Sequence, residues 1–141
     1  MLQISIPGKP LAKHRPRFFR KGNFIGTYND QKTDEGKFML MAASQIPKEW
    51  TKPDCPVRVT LGFYMPIPKN FPKYKVKEIE SGVPVWHDKK PDIDNLEKFA
   101  LDCIRDLAIG DDATVSYIHS VKMYAKNPHT EITIQRLDIV V

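Results

Sequence analysis

Between Ile93 and Leu107 the chain carries an amphipathic repeat for which a packed helix is the natural solution. Apolar residues recur there at three- and four-residue steps, and the set is Ile93, Leu96, Ala100, Cys103, Ile104 and Leu107. This spacing aligns them along one side of an α-helix and leaves the opposite side polar. We therefore predict a helix over 93–107 that buries its apolar side, with Asp92 or Asp94 as its N-cap.

The segments around this helix predict strands and one further helix. Alternation of apolar and polar residues predicts strands at 2–6, 56–65, 114–124 and 132–135. A stretch without internal proline predicts a helix between about Asn29 and Ile46, ended by Pro47. The order β-α-β-α-β-β predicts an α+β fold in which the helices pack on a mixed or antiparallel sheet.

Two segments differ in composition from the rest. Residues 9–27, the basic arm, hold lysines and arginines between aromatic and glycine residues but no acid, and we expect a hairpin or an extended loop there. Residues 66–91 contain five prolines and a cluster of four lysines, which is typical of a mobile or ligand-contacting loop. A short helix is expected within this loop at 74–81.

Length and composition exclude several classes of protein. The 141 residues suit one domain over 1–141, and the net charge of +5 favours a polyanionic partner. Cys55 and Cys103 lie far apart, and no histidine pair has zinc-ligand spacing, so neither a zinc site nor a disulfide framework is predicted. No apolar run is long enough to cross a membrane, and we expect a cytoplasmic protein.

Two acids at the start of the predicted helix are suited to a metal ion. Asp92 and Asp94 are separated by one residue at a loop-to-helix junction, where an extended backbone projects both side chains to the same side. Mg²⁺ prefers hard oxygen ligands and is often held by one or two carboxylates, water and substrate phosphate. The alternative is that these acids only cap the helix and complement its dipole. Gly110-Asp111-Asp112, read alone, is an ordinary turn.

Lys98 lies one helical turn after Asp94 on the polar side of the same helix. A lysine at this place stabilises negative charge on a phosphate during cleavage, or orients the attacking water. The alternative is an ion pair with Asp94 that contributes roughly a few tenths of a kcal/mol. Spacing alone leaves both open.

A longer motif, spread over residues 90–115, is more specific than either pair of acids alone. It consists of Lys90-Pro91-Asp92-Ile93-Asp94-Asn95-Leu96 followed by Lys98, then Leu101-Asp102, then Asp111-Asp112 and Val115. In order and spacing this pattern resembles the RusA family of Holliday junction resolvases. Arg15-Pro16-Arg17, and Tyr28 followed by Lys32-Thr33, also resemble family members. The likeness covers most of the chain.

The resemblance implies a RusA-like fold and a role for each matching residue. Asp92, Asp94 and Asp112 are similar to the family's metal-binding acids, and Lys98 to its catalytic lysine. Asp111 matches the neighbouring acid, as a further metal ligand or a residue beside the metal. The family acts as a homodimer that nicks two opposed strands of a four-way junction with Mg²⁺, which Mn²⁺ can replace. Its members are often phage or prophage products.

Helix geometry adds a hypothesis about the metal site. A helix over 93–107 rises about 21 Å and carries the chain away from Asp92 and Asp94. The five residues from Ala108 to Asp112 span at most about 17 Å, so a return to the same site is difficult. We hypothesise that a partner subunit in a two-fold dimer supplies one set of acids. The alternative is an earlier helix end, or a bend, that closes the site within one chain.

The basic arm suggests how DNA is held. Its expected phosphate contacts are Lys13, Arg15, Arg17, Arg20 and Lys21. Its rings, Phe18, Phe19 and Phe24, are expected to stack on opened bases. The alternative is a solvated basic face with the rings in the core. Further contacts are expected from Lys73, Lys75 and Lys90, and His87 is a candidate phosphate contact.

Together these observations predict a magnesium-dependent, structure-selective endodeoxyribonuclease that resolves Holliday junctions in DNA recombination and repair. Two alternatives stay open: a module that binds branched DNA without cutting it, and a nuclease that cuts flaps or single strands with the same site.

Overall fold

The computed structural model describes residues 1–138, which contain six strands and three α-helices. The strands are β1 (Leu2–Pro7), β2 (Arg17–Lys21), β3 (Phe24–Tyr28), β4 (Val57–Pro66), β5 (Val115–Ala125) and β6 (His129–Arg136). The α-helices are α1 (Lys32–Ala43), α2 (Lys73–Glu80) and α3 (Ile93–Ile104). The predicted domain runs to residue 141, and its last three residues lie outside the described range.

A mixed sheet with the order β1-β6-β4-β5 carries the fold. Strand β4 pairs with β6 antiparallel and with β5 parallel, while β1 pairs with β6 antiparallel. Every second residue of β4 is at most 1% exposed, namely Val57, Val59, Leu61, Phe63 and Met65. This alternation is what a central strand needs to bury one side chain row against helices. The predicted α+β class with a mixed sheet is therefore confirmed.

Helices α1 and α3 supply the other half of the core. The apolar side of α3 is buried as its periodicity predicts, and Phe99 meets Phe38 of α1 edge to face at 5.7 Å between ring centroids. Contact between two large rings from different helices locks α1 to α3. The polar side of α3 is thereby turned outward.

The predicted helix over 93–107 differs from the structure at its end. The α-helix stops at Ile104, and a π-helical turn continues from Arg105 to Ile109 before Gly110, whose φ is +92°. The wider turn keeps Ala108 and Ile109 buried. The Trp50 indole N–H donates to the Ala108 carbonyl at 3.0 Å, and so satisfies a backbone group at the helix end.

Three elements of the structure, β2, β3 and α2, lie outside the predicted order β-α-β-α-β-β. The basic arm contains the hairpin β2–β3, which forms its own two-stranded sheet. The Pro/Lys-rich segment contains α2, close to the short helix expected at 74–81, and Phe71, Ile79 and Val85 from this segment pack against the core. Residues 66–91 are therefore not a loop throughout. Within residues 1–138, no helix is long and apolar enough to span a bilayer.

Candidate active site

The two acids of the central motif stand at the start of α3. Asp92 occupies the N-cap position with an extended backbone, but its carboxylate makes no capping hydrogen bond to the helix. Instead it accepts from Lys90 Nζ at 2.9 Å, and its side chain is 52% exposed. Asp94 Oδ1 accepts from the N–H of Asn95 at 3.0 Å. The purely capping interpretation therefore does not describe Asp92, whose carboxylate faces solvent.

Lys98 is exposed one turn after Asp94. Among the ion pairs of residues 1–138, none joins Lys98 to Asp94 or to another acid. The alternative interpretation, an ion pair between Lys98 and Asp94 along the helix, is thus not formed. A cation with its charge uncompensated by a neighbour is available to an incoming phosphate.

The next acid along the polar side of α3 is already engaged. Asp102 lies 3.2 Å from Lys13 Nζ, which also contacts Glu35 of α1 at 3.1 Å. Burial lowers the pKa of Lys13, but the hydrogen bonds to Glu35 and Asp102 outweigh it and raise the pKa overall. Lys13 therefore ties the basic arm to both helices.

The second pair of acids lies beyond the π-helical turn. Asp111 Oδ1 accepts from the N–H of Ala113 at 3.0 Å and caps a short 3₁₀ helix over Asp112–Thr114. Asp112 Oδ2 lies 3.3 Å from Arg105 Nη1 and its side chain is 59% exposed. The hydrogen bond to Asp112, followed by that to Asp106, raises the pKa of Arg105. Asp111 is thus fixed as a cap, whereas Asp112 faces outward.

One chain holds these two pairs apart. Asp94 and Arg105 are eleven residues apart along the helix, which corresponds to about 16 Å of rise. Within residues 1–138, no three acid, histidine or cysteine side chains come close enough to hold one metal ion. The structure thus places Asp92 and Asp94 at one end of α3 and Asp112 at the other.

The donors at the start of α3 suit a magnesium ion. Both are exposed carboxylates, and neither makes a capping bond to a distant helix N–H. Two carboxylates with water and substrate phosphate are a common set for Mg²⁺. The helix N-terminus also favours negative charge next to them.

Sequence reasoning missed a groove beside Asp92. It encloses about 700 Å³ and is lined by Trp86, His87, Lys90, Asp92, Ser120 and Lys122, among others. Trp86 forms an isolated antiparallel bridge with Met123 of β5, and its side chain is 60% exposed. Because this bridge joins segments far apart in the chain, local sequence carries no signal for it. The groove lies directly beside Asp92.

Lys122 on β5 positions the loop that carries the motif. Its Nζ donates to the carbonyls of Lys89 at 2.7 Å and Pro91 at 2.8 Å. These bonds hold the backbone directly before Asp92 against the sheet. The only signal in the sequence is a cation inside a predicted strand, which does not reveal the partner loop.

His87 lies in the same groove. Burial, and then the positive charge of Lys122, lowers the pKa of His87. Its ring is 4.7 Å from that of Tyr124, and its Nδ1 is buried without a hydrogen-bond partner in the described chain. Burial and the charge of Lys122 therefore both favour the neutral form of the imidazole.

The hairpin β2–β3 projects aromatic side chains into solvent. Phe18 is 77% exposed and Phe24 is 62% exposed, so the alternative that these rings lie in the core is wrong. Phe19 is 40% exposed and lies between the rings of Phe24 and Tyr28. Exposed rings at this density are typical of an interaction surface.

The basic side chains of the arm are not equivalent. Arg17 is 2.6 Å from Asp30, and this hydrogen bond lowers the pKa of Asp30 and raises that of Arg17. Arg15, Arg20 and Lys21 are exposed and form no ion pair within residues 1–138. Acids outside the arm thus form ion pairs with Lys13 and Arg17, but not with Arg15, Arg20 or Lys21, among the described residues.

The remaining expected DNA contacts lie on two other segments. Lys73 and Lys75 are on α2, where Lys75 Nζ lies 5.3 Å from the centre of the Phe71 ring. Lys90 is 84% exposed beside Asp92. Only Lys90 is part of the groove.

Comparisons with known proteins agree with this architecture. Residues 7–135 match the protein family described as Endodeoxyribonuclease RusA. The chain is also similar to the uncharacterized protein YqaN of Bacillus subtilis (strain 168), with 28% identity over 139 residues, 96% of each chain. The family match covers nearly the whole chain and confirms the resemblance carried by the motif. This protein therefore belongs to the RusA family and is an endodeoxyribonuclease of the Holliday junction resolvase class.

Proposed function

We propose that the protein resolves four-way DNA junctions by Mg²⁺-dependent hydrolysis, as a homodimer with two equivalent sites. The observation that carries this proposal is the exposed carboxylate of Asp92, which occupies an N-cap position without capping and faces a groove. A carboxylate that serves stability alone would bond the helix N–H groups. Asp92 instead stays available to a ligand.

Asp92 and Asp94 would hold the metal ion, with Asp112 as a third ligand. When bound, Mg²⁺ supplies charge stabilisation at the phosphodiester and lowers the pKa of a water molecule. Lys98 would compensate the charge that develops on the phosphate, because no acid of the described chain pairs with it. Lys122 would keep the loop before Asp92 in place through its two carbonyl contacts.

A site shared between two subunits accounts for the separation of the acids. About 16 Å of helix lies between Asp94 and Arg105, the side chain that contacts Asp112. Metal ligands must converge within a few ångströms, which one chain does not provide among residues 1–138. A two-fold axis would bring Asp112 of the partner subunit to Asp92 and create two sites at once. Two sites suit a junction in which two strands are cut.

The hairpin and the lysines beside the site would hold the junction. Arg15, Arg20 and Lys21 would contact phosphates, and Phe18 and Phe24 would stack on bases unpaired at the branch point. The exposure of these side chains supports this role.

The test is nicking of an end-labelled four-way junction with and without Mg²⁺. Asp94→Asn should lower the nicking rate by about a hundredfold or more, because a metal ligand is lost. Junction binding without metal should stay as in the parent protein. Asp34→Asn is the matched control, since Asp34 is also an acid in the first turn of a helix and lies outside the site.

Three outcomes would contradict the proposal. Unchanged nicking by Asp94→Asn would remove the assigned metal site. Binding without nicking by the parent protein would support a branched-DNA binding module. Equal cutting of flaps or single strands would support a nuclease without junction selectivity.

A further inference from the structure

The hairpin β2–β3 is not supported by packing against the core. Its residues are all exposed except Gly26, which is half-buried. Its rings contact one another, since Phe19 lies against Phe24 and Tyr28. Among the described residues, no apolar side chain of 17–28 packs against the core. The direction of the hairpin is therefore fixed where its two ends join the rest of the chain.

Gln31 joins these two ends. It follows the hairpin in sequence and is only 2% exposed. Its Nε2 donates to the carbonyl of Ala12 at 2.7 Å, and its Oε1 accepts from the N–H of His14 at 2.7 Å. A carboxamide donates and accepts at once, which an apolar side chain or a carboxylate of the same length does not do. Gln31 thus clamps the segment before the hairpin to the segment after it.

Helix α1 does not explain why a glutamine stands at this position. Gln31 is the N-cap residue of α1, but its side chain makes no capping hydrogen bond. Glutamine is also not one of the residue types that are preferred at an N-cap. A buried polar side chain is costly unless it is hydrogen-bonded, and here its partners are backbone groups of residues 12–14. The clamp on the arm therefore accounts for the residue.

The clamped segment is in turn held on α3. The N–H of Lys13 donates to the carbonyl of Asn95 at 2.9 Å. Asn95 directly follows Asp94 in the first turn of α3. Between the two ends of the hairpin, Asp30 also pairs with Arg17 at 2.6 Å. A short series of hydrogen bonds thus links the base of the hairpin to the backbone beside Asp94.

We propose that Gln31 is a positioning residue, which fixes the direction of the hairpin relative to the first turn of α3. Its consequence for cleavage rests on the proposed function, in which the hairpin holds the branch point and Asp94 binds the metal ion. A hairpin of fixed direction then sets the distance between the branch point and the phosphate that is cut. This distance affects the rate, because a misplacement of about 1 Å can cost about a hundredfold.

Spin labels test the clamp directly. Gln31→Met keeps a flexible, unbranched side chain of similar length but removes the amide donor and acceptor. Labels at Asn23→Cys in the hairpin turn and at Lys37→Cys on α1 report the distance between hairpin and body, in a Cys55→Ser background that leaves only the buried Cys103. Labelled chains are diluted with unlabelled chains, so that each assembly holds one labelled copy. The distance distribution should be broader in Gln31→Met than in the parent protein.

Gln45→Met is the matched control at the other end of α1. Gln45 Nε2 donates to the carbonyl of Ser5 at 2.7 Å, and its Oε1 accepts from the N–H of Ser5 at 2.8 Å. The control therefore removes the same pair of bonds from β1 and should leave the distance distribution as in the parent protein. Gln31→Glu is a milder variant in case Gln31→Met does not fold. It keeps the acceptor for His14 but loses the donor to Ala12, so the distribution should broaden again.

Single-turnover nicking of a four-way junction at saturating protein measures the consequence for cleavage. The rate of Gln31→Met should fall at least about tenfold, and the cuts should spread to neighbouring phosphates. A variant that is merely less stable would lower the fraction of active protein, but not the rate or the cut positions of the bound complex. Junction affinity without metal should change much less than the rate, because the hairpin keeps Arg20 and Lys21.

The outcomes separate the clamp from the proposed function. An unchanged distance distribution in Gln31→Met, or equal broadening in Gln45→Met, would overturn the inference. A broader distribution with the parental rate and cut positions would overturn it as well. Broadening in Gln31→Met alone, in a protein whose parent nicks no junction, would instead reject the proposed function and leave the clamp standing.

Discussion

The exposed charges around α3 differ in whether the chain already compensates them. Lys13 and Asp102 neutralise each other, and Arg105 does the same for Asp112. Lys98 has no acid partner in the part of the chain that the structure describes. An exposed, uncompensated charge contributes little to folding, so the side chain of Lys98 is free to meet a ligand.

The variant Lys98→Ala distinguishes a catalytic role of this lysine from a role in the stability of the fold. We expect the nicking rate on a labelled junction to fall about a hundredfold, since one charge-stabilising donor is lost. The free energy of unfolding should change by less than about 0.5 kcal/mol, because the side chain is exposed and unpaired. Lys37→Ala, an exposed lysine of α1, is the control for surface effects. Normal nicking by Lys98→Ala would remove this residue from the mechanism.

His87 predicts a pH dependence of stability. Its pKa in the folded protein is lowered by burial and by Lys122, whereas the unfolded chain titrates near the ordinary value of about 6.5. As the pH falls through this window the unfolded state binds more protons, so stability falls with it. Thermal unfolding at pH 7.5 and at pH 5.5 should show a smaller loss for His87→Gln than for the parent protein. An identical loss in both would contradict the assignment.

At the scale of elements, periodicity predicted α3 and the sheet strands well. The apolar side of α3 is buried from Leu96 to Ile104, and β4 alternates as its sequence indicates. The helix end was less predictable, because the Ala108 carbonyl of the π-helical turn accepts from Trp50, which is distant in sequence. Likewise Lys122 and Trp86 act through segments that meet only in the folded chain. Local patterns contain no information on such contacts.

The role of the candidate site residues stays a prediction, and their assembly could not be predicted from local sequence. The motif points to Asp92, Asp94, Asp112 and Lys98, and the length of the predicted helix favoured a separation of these acids within one chain but left an earlier helix end or a bend open. Which charges of the basic arm form ion pairs could not be predicted in the same way. The acids that compensate Lys13 and Arg17 lie outside the arm, on segments brought close by folding.

The hairpin makes a prediction about DNA binding. Arg20→Ala with Lys21→Ala should weaken junction binding and reduce the slope of log affinity against log salt by roughly two, because two phosphate contacts are lost. Lys13→Ala is the informative comparison. Its charge is engaged by Glu35 and Asp102, so it should alter stability more than the salt slope. Binding is measured without divalent metal; equal slopes in all variants would exclude the hairpin as a phosphate contact.

At the scale of the whole molecule, the arrangement of the acids relates activity to assembly. That residues 1–141 form one domain stays a prediction. If Asp112 serves the partner subunit, no isolated chain has a complete site, and only the dimer cuts. Each of the two strands is then cut at a site that contains residues of both chains.

Mixed dimers test this relation directly. In a mixture of Asp92→Asn and Asp112→Asn chains, a shared arrangement leaves one intact site in each heterodimer, made from the unaltered acids of both chains. Neither variant alone should nick the junction. Random mixing makes half the dimers mixed, with one site of two intact, so about a quarter of the parental nicking rate should return.

The products and a second mixture make the result unambiguous. Because only one site per heterodimer is intact, the restored activity should leave singly nicked junctions and few resolved duplexes. Asp92→Asn mixed with Asp94→Asn is the matched control, since both acids come from the same end of α3 and neither arrangement leaves a complete site. Absence of restoration in the first mixture, despite confirmed heterodimers, would show that each chain closes its own site through a rearrangement of the segment after α3. Restoration in the control would instead show that Asp92 and Asp94 do not serve the same site.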